Sequence, residues 1–366
     1  MSIHFTERDW ERIECDWTAW WAGELDRPLV VVQSVETLSG GNLPETPRFV
    51  ANFPLEAPAA EILDCHQARL DVTRFWGDAW PKWFPNFGPG VIPAFLGAQM
   101  QVEANTIWFA STAQSADIAD LHLAYDPDNA WWRRVCAICR SAVERWGRQV
   151  TVAYTDLGCN LDILAALRTT QQLLLDLHDA PREVTSLLSE IRSLWFRYYE
   201  ELSAIVTAPG RGTTCWAPIW SPGRCYMLQC DFAYMISPRM FERFVLPEIA
   251  ACCDFLDHGF YHLDGKGQIA HLDMLLSLNK LRGVQWIPGA GAAPAEEWLP
   301  LLARIRKAGK LCQVYVTPQG ARTIVQELGG RGFAFYIVQG FDEEGFYAPL
   351  RMSRDEAQEL IQSLSA

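Results

Sequence analysis

The densest concentration of chemically useful side chains in this sequence is Tyr261-His262-Leu263-Asp264-Gly265. On a strand, residues two apart point to the same side, so the imidazole of His262 and the carboxylate of Asp264 share one face. Together they suit general acid–base chemistry, because a neighbouring carboxylate raises a histidine pKa and fixes its tautomer. They equally suit two ligands of a divalent metal such as zinc, with at least one further N, O or S donor required. A buried histidine satisfied by the aspartate in a structural role is the bland alternative. Gln229-Cys230-Asp231 alternates in the same way and offers Asp231 as a second carboxylate, for catalysis or for a capping bond.

Other motifs carry less. His271 and Asp273 sit two apart on an expected helix and therefore face different ways, as surface or capping groups. Cys136-x-x-Cys139 stands alone without a second Cys/His pair, which argues against a zinc knuckle, and Cys252-Cys253 reads as helix packing. Asp78 lies in Trp76-Gly77-Asp78-Ala79-Trp80-Pro81-Lys82-Trp83, inside a Pro-, Gly- and aromatic-rich loop. Such a loop either lids a pocket, with its rings on a flat or methylated cationic ligand, or packs into its own small core.

The elements that would position these groups follow a regular rhythm. Trp10, Ile13, Trp17, Trp20 and Trp21 make one apolar face of an N-terminal helix within residues 1–28. Eight segments read as strands: Leu29–Val32, Val150–Tyr154, Thr213–Trp220, Tyr226–Asp231, Gly259–Gly265, Gly283–Gly289, Leu311–Val316 and Phe333–Val338. Helices are expected over Leu161–Leu177, Pro181–Glu200, Pro238–His258, Ile269–Leu278, Ala295–Ala308, Gly320–Leu328 and Ser353–Leu364. Alternation of this kind predicts an α/β fold, a (β/α)8 TIM barrel in a single domain over residues 1–366, with residues 36–148 as a long insertion after the first strand. No Gly-x-Gly-x-x-Gly follows the first strand, which argues against a dinucleotide-binding sheet.

In such a barrel the working face lies at the strand C-termini. That rule selects Asp156, Trp216, Trp220, Gln229, Asp231, His262, Asp264, Gln285, Trp286 and Gln339, with Asp78 and Trp80 from the loop. His262, Asp264 and Asp231 are the expected catalytic groups, His262 and Asp264 the expected metal ligands, and the rest the walls of a small-molecule pocket.

Composition narrows the partners. The 366 residues carry 31 Lys and Arg against 44 Asp and Glu, a net charge of −13, and no basic cluster, which excludes general nucleic-acid binding. No apolar run approaches the ~20 residues that span a bilayer. The N-terminus lacks signal-peptide order, and eleven scattered cysteines do not form a disulfide framework, so a reduced, cytoplasmic protein is expected.

Ser237-Pro238-Arg239-Met240-Phe241-Glu242-Arg243-Phe244-Val245-Leu246-Pro247, followed one strand later by His262-Leu263-Asp264-Gly265, resembles the uroporphyrinogen decarboxylase superfamily over roughly the last 220 residues. That group includes the decarboxylase and the corrinoid- and thiol-dependent methyltransferases, and the resemblance implies a (β/α)8 barrel. The decarboxylase's Arg-Gln-Ala-Gly-Arg stretch is absent, since no arginine lies between Arg27 and Arg48. The methyltransferase branch shows His-x-Cys at the fifth strand and a further Cys near the last strand, which bind zinc. Here Asp264 replaces the first Cys and Gln339-Gly340 the second, a set better matched to harder metals. The resemblance implies a methyltransferase acting on a small molecule with a corrinoid protein as partner. A decarboxylase or lyase, gripping carboxylates with Arg168, Arg211 or Arg224, is the alternative, and a non-catalytic small-molecule binder the third.

Overall fold

The computed structural model describes residues 3–35, 46–103, 106–111, 117–340 and 350–365; Gly40-Gly41 and parts of the expected insertion lie outside the described residues. In chain order the strands are β1 (Leu29–Val35), β2 (Thr73–Gly77), β3 (Lys82–Trp83), β4 (Gln99–Val102), β5 (Ile107–Ala110), β6 (Thr151–Val152) and β7 (Thr213–Thr214). They continue as β8 (Trp220–Ser221), β9 (Cys225–Leu228), β10 (His258–Asp264), β11 (Leu281–Ile287), β12 (Leu311–Val316) and β13 (Phe333–Ile337).

The fold is α/β around a seven-stranded sheet in the order β2-β1-β13-β12-β11-β10-β9. Every pairing in it is parallel except β1 with β2. Short ladders pair β3 with β6, β4 with β5, and β7 with β8. Ala153 N–H donates to Trp83 O at 2.8 Å and Tyr154 N–H to Thr214 O at 3.0 Å, linking β3, β6 and β7 beside the main sheet.

Several elements differ from the sequence reading for local reasons. The expected strand Thr213–Trp220 breaks into β7 and β8 around Pro218, which has no N–H to give a ladder, and Ile219 turns back on Ala217 O at 2.9 Å. The expected helix Leu161–Leu177 is two helices, Asn160–Arg168 and Thr170–Asp179, separated by Thr169 at φ 77°. The helix after Ser237 stops at Phe244 and restarts at Leu246, with Pro247 in the new first turn. Among the described residues, α-helices Ala59–Asp71, Ile92–Phe95 and Ala130–Trp146 lie within the stretch read as irregular.

The N-terminal helix, Glu7–Ala22, covers the amino ends of the strands. Thr6 and Asp9 cap its start reciprocally, and Gly23 ends it at φ 73°. Its tryptophans are buried, and three indole N–H groups reach backbone carbonyls: Trp17 to Asp78 at 3.1 Å, Trp20 to Phe333 at 3.1 Å, Trp21 to Trp220 at 2.8 Å. Trp21 also stacks on His258 at 4.3 Å, at the beginning of β10.

Asp78 belongs to this end of the molecule. Fully buried, it accepts from Arg27 Nη1 and Nη2 at 2.8 and 2.9 Å and from Val30 N–H at 2.7 Å. Trp80 is buried edge-on against Trp17 at 5.2 Å. The expectation that Asp78 and Trp80 touch a ligand is therefore corrected: both pack the N-terminal helix onto the sheet. Replacing Asp78 by Ala leaves Arg27 with Asp16, at 2.8 Å, as its remaining carboxylate and leaves Val30 N–H unbonded; it is expected to cost about 1–3 kcal/mol of stability, read from urea denaturation. Metal or ligand binding at the opposite end should survive it.

Candidate active site

Strand register builds the site. His262 lies opposite Gln285, and Gln285 opposite Gln313, so three polar side chains form one row across β10, β11 and β12 on the same face. Each is flanked along its strand by residues that point the other way.

This row has a direction. Gln313 Nε2 donates to Pro218 O at 3.1 Å, and a carbonyl only accepts. Gln313 Oε1 is then the acceptor for Gln285 Nε2 at 2.6 Å, which leaves Gln285 Oε1 to accept from His262 Nδ1. The relay therefore places the proton of a neutral His262 on Nδ1 and leaves the lone pair on Nε2, as a base or metal ligand requires. Trp216 meets the imidazole edge-on at 5.1 Å and is itself held by Nε1–H donation to Met227 O at 3.2 Å.

Asp231, His262 and Asp264 offer ligand atoms that all lie within 4.8 Å of one another. Asp231 sits beyond the end of β9, at the first residue of the turn Asp231–Met235 rather than on the expected strand. Asp162 fixes that turn: its carboxylate accepts from Asp231 N–H at 2.9 Å and from Phe232 N–H at 2.8 Å. Asp231 is open to solvent on one side, yet the protein atoms around it push its pKa up. His262 draws that pKa down and Asp264 adds to the rise. Burial also raises Asp162 well above the ordinary carboxylate range, helped by the charge of Asp231.

A cavity of about 590 Å³ opens beside this cluster, with Gln229, Asp231, Asp162 and Phe232 on one wall. Its other wall is the insertion, chiefly Thr106–Ser111 and Pro89-Gly90. The two walls touch where Gly90 and Gly158, both at φ +71°, pass back to back: a Cβ on Gly158 would stand 2.8 Å from the Gly90 Cα. Val91 N–H donates to Asp156 O at 2.8 Å beside this crossing. Trp216 and Asp156 line a neighbouring cavity of about 320 Å³, and Asp264 faces another of about 310 Å³.

The structure thus brings together Asp231, His262, Asp264, Gln229, Gln285 and Trp216, with Asp156 lining a cavity beside Trp216, and sets Trp220, Trp286 and Gln339 apart. Trp286 is fully buried on the far face of β11 and packs on Trp298 at 5.1 Å. Trp220 is buried with its N–H on Arg211 O at 2.8 Å. Gln339 is exposed past the end of β13. His271, expected at a helix surface, is buried and stacks on Phe241 at 4.3 Å, while Asp273 pairs with Arg304. Gln313 and Asp162 were missed. Gln313 could have been found as the single polar residue in Leu311–Val316; nothing local marks Asp162.

Two measurements test this description. Gln285→Leu should free the His262 tautomer, seen in imidazole 15N shifts, and weaken any metal bound there about 10–100-fold. Asp156, pushed up to about 6 mainly by burial, binds more protons folded than unfolded between its unfolded value and about 6. Its stabilising contribution is present at low pH and lost as pH rises through about 6. Asp156→Asn should therefore be more stable than wild type at pH 7, by about 2–3 kcal/mol, with the gain vanishing near pH 4. A loss of stability at pH 7 would contradict it.

Comparison with known proteins places the fold. No family model and no curated protein matches the chain. A solved structure that resembles it is a methyltransferase from Methanosarcina mazei, with a TM-score of 0.61 over 96% of both chains at 12% sequence identity. Among the described residues no helix is long and apolar enough to cross a membrane. The chain thus shares its α/β fold, nearly end to end, with a methyltransferase.

Proposed function

We propose that this protein is an enzyme of the uroporphyrinogen decarboxylase superfamily that transfers a methyl group from a small molecule, with a corrinoid carried by a partner protein as acceptor. The observation that carries this reading is the convergence of Asp231, His262 and Asp264 beside a 590 Å³ cavity at the carboxyl ends of the parallel strands. The end-to-end likeness to a methyltransferase supports it. A closed (β/α)8 ring is part of the proposal, supported by the parallel pairings and by the bonds that join Trp83 to Ala153 and Tyr154 to Thr214.

His262 Nε2 and the carboxylates of Asp231 and Asp264 would hold a divalent metal. The lone pair left by the amide relay and the dense negative charge fit such an ion, and one nitrogen with two oxygens suits a harder metal than a thiolate set does. Bound there, the metal would supply Lewis-acid activation of the heteroatom that carries the methyl group. The chain's own residues would orient the substrate through Gln229 and Trp216 and exclude water with the insertion wall. The surplus of carboxylates around the cavity favours a neutral or cationic methyl donor over an anionic one. The partner's corrinoid would supply the cobalt centre that accepts the methyl group.

Decarboxylation lacks the expected grips. Arg168 is held by Asp176 at 2.8 Å, Arg211 by Glu14 at 3.0 Å and by Glu7, and Arg224 lies near Glu200 at 3.6 Å.

Purified protein should bind a divalent metal, lost in His262→Asn and Asp264→Asn. Methyl transfer from methylated amines, alcohols or thiols to added corrinoid protein should fall at least ~100-fold in both variants. Wild-type protein that transfers no methyl group to any corrinoid protein would refute the reading.

A further inference from the structure

A second cavity, of about 300 Å³, lies where β1 and β13 end, and its electrostatic character is the reverse of the first. Its walls carry Arg69 and Lys82 together with Gln33, Thr73 and Tyr336, and no acidic side chain among the described residues. In a chain of net charge −13 this is a local inversion of sign.

Neither cation is neutralised by a described carboxylate. Lys82 Nζ donates to two backbone carbonyls, Trp216 O at 2.9 Å and Ala217 O at 2.8 Å, which satisfy hydrogen bonds but carry no counter-charge. Arg69, in the last turn of the helix Ala59–Asp71, is half-buried. Burial lowers the pKa of both, Lys82 to about 8. Holding unpaired cations in a low-dielectric cavity is costly, and an anion between them removes that cost. Tyr336 Oη donates to Gln33 Oε1 at 3.3 Å, which leaves the Gln33 amide N–H groups as further donors. The rest of the lining is apolar, including Phe75, Leu70 and Val338.

We propose that the Arg69–Lys82 cavity is a binding site for the carboxylate of a small organic acid with an apolar body. Arg69 grips the carboxylate through its guanidinium, Lys82 supplies a point charge, and the apolar lining receives the carbon skeleton. Inorganic phosphate offers the same charge without a body to fill that lining. The volume, at the lower end of the ~300–1,000 Å³ usual for ligand pockets, limits the acid to a small one. This site goes beyond the methyl-transfer reading and does not depend on it.

Calorimetric titration of the full chain tests it, with butyrate, benzoate and succinate, the neutral ester methyl benzoate, and inorganic phosphate. At least one carboxylate should bind saturably and the ester should not. Arg69→Gln and Lys82→Met should each weaken that carboxylate about tenfold or more, while divalent metal binding at Asp231, His262 and Asp264 is unchanged in Arg69→Gln. Three results would each overturn the proposal: no carboxylate binding to wild type below about 10 mM, phosphate binding as tightly as the best carboxylate, or unaltered affinity in Arg69→Gln. Should Lys82→Met fail to fold, the half-buried Arg69→Gln decides alone. Metal binding read in the same samples separates failure here from failure of the methyl-transfer reading.

Discussion

A single carbonyl orients the site. Pro218 O can only accept, and from that fact the polarity of two glutamine amides and the tautomer of His262 follow in sequence. Side-chain amides in water sample both orientations, whereas a buried pair in register across strands has one fully bonded arrangement. Gln285 and Gln313 are both fully buried, so no water competes for their hydrogen bonds. The same segment serves three neighbours: Trp216 packs on the imidazole, Trp216 O and Ala217 O hold Lys82, and Pro218 O anchors the relay. With the ladder interrupted between β7 and β8, these carbonyls accept from side chains instead of from a neighbouring strand.

The two ends of the sheet divide the labour. At the amino ends, the indole N–H groups of Trp17, Trp20 and Trp21 on backbone carbonyls and the buried Arg27–Asp78 pair secure the N-terminal helix. At the carboxyl ends, polar groups are gathered without full mutual neutralisation. Asp156, Asp162 and Asp231 all have raised pKa values, and in each burial is the largest cause. Such groups weaken the fold near neutral pH, and perturbed carboxylates of this kind cluster at functional sites. The insertion completes this end, because β5 and the Gly90–Gly158 crossing wall the larger cavity.

Charge separates the cavities as well. The acidic one lies past the end of β9, at Gln229 and Asp231, and the cationic one at the ends of β1 and β13, where Lys82 is held by the Trp216–Ala217 carbonyls. An overall charge of −13 conceals this arrangement, since net charge speaks to solubility and long-range steering and not to any one pocket.

Periodicity alone determined most of the secondary structure after residue 148 and the pairing of His262 with Asp264, because a strand's two-residue repeat is a local property. The apolar stripe of the N-terminal helix was legible for the same reason. What lay beyond local pattern was which face of each strand looks inward and which distant residues meet there. Gln285 and Trp286 are neighbours in the chain, yet one joins the relay and the other packs on Trp298; only register against β10 and β12 distinguishes them. Asp78 looked like a lid residue until Arg27, 51 positions earlier, claimed it. Asp162 and Asp231 are 69 residues apart, and Gln313 and Pro218 are 95 apart. Contacts at such separations are created by the packing of the whole sheet, so tertiary structure decided the site where sequence decided its parts.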